Sequence, residues 1–77
     1  MQIKQAKEYF KDGMITGFNA VKAPMLTCWL LSISGKNEKF WILETALGKD
    51  KLFASLDTLI GEVESITKRV TSLKILI

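Results

Sequence analysis

Histidine is absent from this chain, and cysteine and proline occur once each, as Cys28 and Pro24. Without histidine, the commonest general base is missing. A zinc site would have to be assembled from carboxylates and one thiol. A lone cysteine also excludes an internal disulfide and fits a reducing compartment. Cys28 sits in an apolar run with no charged neighbour to stabilise a thiolate. It reads as a small core residue, not a nucleophile. Gly48-Lys49 lacks the spacing of a phosphate-binding loop. Asp57, Glu62 and Glu64 are spaced like a solvated helix face instead of a converging acid–base pair. These absences argue against an enzyme, and no cofactor or metal is expected.

Long hydrophobic runs are missing too. No stretch reaches the roughly 18 to 20 apolar residues that span a bilayer. The opening Met1-Gln2-Ile3-Lys4-Gln5-Ala6-Lys7-Glu8 is charged and has no apolar leader core. A cytoplasmic protein with no membrane partner is therefore the expectation. With five glycines and one proline, disorder is not the default. The 48% hydrophobic and 25% charged residues are those of an ordinary globular protein. Eleven basic against eight acidic residues leave a net charge of +3, which permits weak attraction to polyanions and proves none.

Residues 1–77 form one domain, and at that size the core is thin. Small domains commonly add disulfides, metals or a second subunit. Here only the subunit remains.

Ile3, Ala6 and Phe10 recur at helical spacing, with Lys4, Lys7, Glu8 and Lys11 between them. The pattern predicts a helix over residues 2–12, capped by Gly13. Residues 15–23 read as a strand in which Gly17 marks a bulge, ended by Pro24. Residues 26–34 and 38–46 read as a hairpin around Gly35-Lys36-Asn37. Leu52-Phe53-Ala54 reads as a short extra strand. Ser55 is an N-cap with Asp57 in the first turn, and Leu56, Leu59, Ile60, Val63 and Ile66 give a second helix over 56–67. Gly61 inside that helix suggests close approach to a strand. Lys68 and Arg69 close it, and residues 70–77 read as a last strand. The expected fold is α+β: a small antiparallel sheet of four to five strands with two helices, in the order α-β-β-β-(β)-α-β.

Both alternating sets in the middle strands are apolar. One side carries Leu26, Cys28 and Leu30, the other Trp29, Leu31 and Ile33; the next strand puts Trp41 and Leu43 opposite Phe40 and Ile42. Two short helices on one face leave the other in water, and a contiguous exposed patch of this kind marks an interface. A second copy is the simplest partner. The candidate homodimer interface is Trp29, Leu31, Trp41 and Leu43, depending on which face the helices cover. The alternative packs one helix on each face and leaves nothing over.

A different function class has some support. Lys22, Lys36, Lys39, Lys49 and Lys51 lie at strand ends and loops around Phe18, Trp29, Phe40 and Trp41. Aromatics on a sheet flanked by lysines can stack the bases of a single strand. The order α-β-β-β-α is also similar to that of double-stranded-RNA-binding domains. However, Asp50 and Asp57 stand where those proteins begin a lysine-rich helix, so the likeness is topological. A membrane-surface role fails because the apolar stripe of the first helix is too slight.

Four segments carry a family resemblance: Gly17-Phe18-Asn19-Ala20-Val21-Lys22-Ala23-Pro24, Trp29-Leu30-Leu31, Leu43-Glu44-Thr45-Ala46-Leu47-Gly48 and Phe53-Ala54-Ser55-Leu56-Asp57-Thr58. Over residues 15–60 the chain resembles ParC-type partition-associated proteins encoded on plasmids and integrative elements. The resemblance implies an accessory, non-catalytic role in plasmid or mobile-element maintenance beside other partition proteins. It implies no residue roles.

Overall fold

The computed structural model describes residues 1–23, 27–68 and 73–76. Along the chain lie α1 (Ile3–Lys11), β1 (Ile15–Lys22), β2 (Trp29–Gly35), β3 (Lys39–Ile42), α2 (Leu56–Thr67) and β4 (Lys74–Leu76). The α+β class and the element order match the sequence reading. Four strands form one sheet in the order β3-β2-β1-β4. β1 to β3 are antiparallel neighbours, but β4 runs parallel to β1. The sheet is therefore mixed, which corrects the expectation of an all-antiparallel one. The reason is the connection: α2 carries the chain from β3 at one edge to β4 at the other, and a helical crossover delivers parallel strands.

Local chemistry explains the helix ends. Gly13 adopts φ +74°; its N–H donates to Phe10 O at 3.1 Å and that of Met14 to Tyr9 O at 2.9 Å. This is a Schellman end, which a left-handed glycine allows. At the start of α2, Ser55 Oγ accepts from the Thr58 N–H at 3.3 Å, and Asp57 adds charge of the favourable sign. Lys68 ends α2 in the left-handed region, its N–H donating to Glu64 O at 2.7 Å.

The strands are shorter than their apolar runs. β2 begins at Trp29; Thr27 and Cys28 precede it, and Leu26 lies outside the described residues. β3 stops at Ile42 because Thr45 starts a turn: its Oγ1 accepts from the N–H groups of Leu47 at 3.3 Å and Lys49 at 3.4 Å. Phe53 makes a single bridge to Trp29 instead of a strand. The register slips between Ile15 and Gly17, at the expected bulge. Of the last strand only residues 74–76 are paired; 70–72 and 77 lie outside the described residues, as does Arg69. Cys28 is half-buried and is not part of the core cluster, contrary to the core role read for it.

Both helices lie on one sheet face. Tyr9 of α1 meets Trp41 edge-to-face at 5.5 Å, and Phe10 meets Phe18 at 6.3 Å. Ala6, Leu59, Val63 and Ile66 of the helices share a buried cluster with Phe18, Ala20, Leu31, Ile33 and Leu43. Met1 ties the start of the chain to the β3 edge: its amine donates to Ile42 O at 3.1 Å and pairs with the Glu44 carboxylate at 3.1 Å.

Gly61 does not have the role expected of it. It is exposed, and a Cβ there would meet nothing within 4 Å. Gly61→Ala is expected to stabilise the domain by about 1 kcal/mol, seen as a higher urea midpoint at unchanged slope. The β2–β3 turn holds a second reserve. Asn37 and Glu38 both sit at positive φ, 62° and 61°. Asparagine tolerates this region, whereas glutamate there costs about 1–2 kcal/mol. Glu38→Gly is expected to raise the melting temperature, and an unchanged or lower one would show that turn to be unstrained.

Candidate interaction surface

Strand register sorts every sheet residue onto one of two faces. The cross-strand pairs Phe18–Ile33, Ala20–Leu31 and Ile33–Trp41 lie on the helix side. Asn19–Ser32, Val21–Leu30, Ser32–Ile42 and Ser34–Phe40 lie on the other. Since side chains alternate, no residue of one set can reach the other layer.

All four residues read as the candidate dimer interface fall on the covered side. Leu31 and Leu43 are 0% exposed, and Trp29 and Trp41 are half-buried against the same core. In this fold they are internal packing, which moves any interface to the opposite face. Trp41 lies across Gly35, where an added Cβ would stand 2.6 Å from its ring atom Cη2. That glycine is a fitted part of the core as well as a turn residue.

The open face holds Val21, Leu30, Phe40 and Ile42 around a small polar centre. Phe40 is 68% exposed; Val21, Leu30 and Ile42 are half-buried, and none of the four belongs to the core cluster or packs on it. Asn19 Nδ2 donates to Ser34 Oγ at 3.0 Å, so the polar groups partly satisfy one another. Ser32 is buried between these neighbours. The apolar surplus is smaller than the sequence suggests, because serine takes alternate positions of β2. Charge is sparse within the strands: among their described residues on this face only Lys74, on the edge strand, is charged.

The sheet edges offer little. Met1 and Gln2 lie along the outer side of residues 42–44, and β4 has three residues among those described. Short or covered edges resist strand addition.

The five lysines considered for nucleic acid do not converge. Lys22 and Lys39 face the helix side by register, beside Trp29 and Gly35 respectively. These two positions mark opposite ends of β2, about 20 Å apart for six strand steps. Lys36 lies in the β2–β3 turn, and Lys49 and Lys51 lie in the loop after β3. Lys22 Nζ is 5.8 Å from the Trp29 ring centroid, and Lys51 Nζ is 5.4 Å from that of Phe53 and 3.2 Å from Glu62 Oε1. Phe18 is buried, so of the four aromatics only Phe40 stands on the open face. No flat aromatic platform ringed by cations is formed by the described residues.

Among the described residues there is no group of three or more metal-ligating side chains, and no helix is long and apolar enough to cross a membrane. No protein-family model, curated protein or solved structure matches the chain.

Proposed function

We propose that this chain is a non-catalytic protein-interaction module that works as a homodimer, two copies stacking their open sheet faces. The observation that carries this reading is the character of that face: apolar, nearly free of charge and unsupported by the core. A surface whose one strand charge lies at its edge can meet its own copy with little repulsion, and a twofold dimer uses one patch twice. Nucleic acid needs the opposite arrangement, with cations on the face that holds the aromatic. The lysines here sit at the ends and on the far side. The thin core of a small chain adds a reason to associate.

Within the cell, the reading is that of an accessory protein for plasmid or mobile-element maintenance, acting in the cytoplasm, with another partition protein as its further partner. This part rests on the resemblance of residues 15–60 to ParC-type partition-associated proteins.

Light scattering from low micromolar to millimolar concentration tests the dimer. The expected mass is twice 8.7 kDa over most of that range, with stability rising with concentration. A monomer throughout would sink the reading. Salt-sensitive binding of single-stranded DNA or RNA by that monomer would favour a nucleic-acid module instead.

A further inference from the structure

The helical layer has a cleft on the side away from the open face. It lies where α1 and α2 both end, lined by Lys7, Phe10, Lys11, Ile66, Thr67 and Lys68, with a volume of about 370 Å³. Phe10 and Ile66 give it an apolar lining, and three exposed lysines stand around it. No carboxylate is among its described lining residues. Among the described residues, none of these lysines forms an ion pair; the two pairs present are Met1–Glu44 and Lys51–Glu62.

Helix ends explain part of this. Lys11 and Lys68 stand at helix C-termini, where cations are favourable. Lys7 is one turn earlier and has no such reason. Nor do the helix ends require that the cations gather around an apolar hollow.

We infer that this cleft binds a single-chain amphiphilic anion, an acyl carboxylate, with its chain against Phe10 and Ile66 and its carboxylate among Lys7, Lys11 and Lys68. Ligand sites are mostly apolar with a few converging polar groups, and about 300 Å³ is the lower end of their volume. The size therefore suits a short acyl chain. An inorganic anion leaves the apolar lining unused, and a neutral hydrocarbon leaves the lysines unused. A charge-assisted contact strengthens where water is excluded beside it. The inference is independent of the dimer, which uses the other side of the sheet.

The test is a titration of the whole chain with decanoate below its micelle concentration, followed by NMR. Saturable one-to-one binding is expected, with the largest shifts at Phe10, Ile66 and Thr67. Decanol and acetate should each bind about tenfold more weakly or worse, since each lacks one half of the match. Replacing the exposed residues by Lys7→Gln and Lys11→Gln together should weaken decanoate about tenfold while leaving the melting temperature nearly unchanged. The assignment is overturned by absence of saturation at millimolar decanoate, by equal affinity for decanol, by indifference to the lysine substitutions, or by shifts centred on Val21 and Phe40. A glutamate-rich peptide that binds the same residues more tightly than decanoate would also overturn it.

Discussion

Phe40→Asp is expected to turn the dimer into a monomer while leaving the fold intact. Phe40 is 68% exposed and does not pack on the core cluster, so its loss removes no internal contact of weight. In a stacked dimer, however, the aspartate would be buried without a partner. An uncompensated buried charge costs about 3–5 kcal/mol, and 3 kcal/mol is roughly a hundredfold in Kd. Light scattering at a concentration where the parent chain is dimeric should give half the mass, with an unchanged far-UV spectrum. A variant that keeps the dimer mass would show that the open face is not the contact. Ile42→Asp, two residues along the same strand and on the same face, should behave alike.

Leu31→Ala should do the reverse: fail to fold, at any concentration. Leu31 is 0% exposed near the centre of β2, in the buried cluster that both helices share. Deleting a buried leucine side chain costs about 2–5 kcal/mol, because the cavity closes only in part. A core of this size rarely supplies more than about 3–5 kcal/mol. Most or all of the stability is then lost, and urea titration should show no cooperative transition, or one at a far lower midpoint. Leu31 and Phe40 lie on adjacent strands and on opposite faces, so the pair separates a core role from an interface role. A Leu31→Ala chain with an unchanged urea midpoint would mean that the helices do not seal the face they cover.

Phe40 and Leu31 also mark the limit of what alternation encodes. The alternation in residues 26–34 and 38–46 shows two apolar faces, and nothing in that pattern says which face the helices take. Register fixes which residues travel together; a through-space contact such as Tyr9 on Trp41 is needed to assign a set to a layer. Once assigned, Trp29, Leu31, Trp41 and Leu43 became core, and Phe40 and Ile42 became surface. Gly35 is similar: its turn role is plain from the sequence, its fit under Trp41 only from the fold. Gly61, inside a helix, suggests a close tertiary approach that the fold does not supply. The cleft of Lys7, Lys11 and Lys68 joins residues about 60 positions apart, and spacing within either helix gave no signal of it.

The sequence by itself determined what is local: the helix over Ile3–Lys11 with its Gly13 end, the Ser55 cap, the bulge at Gly17, the hairpin and the element order. Each depends on backbone conformation and on side chains a few residues apart, which sequence spacing records directly. Only the tertiary structure decided that β4 pairs in parallel with β1, that both helices share one face, and that the lysines divide between opposite ends of the sheet. Those outcomes come from competition between distant apolar surfaces for the same partner, and burial free energy is non-directional: it rewards covering a face without specifying which.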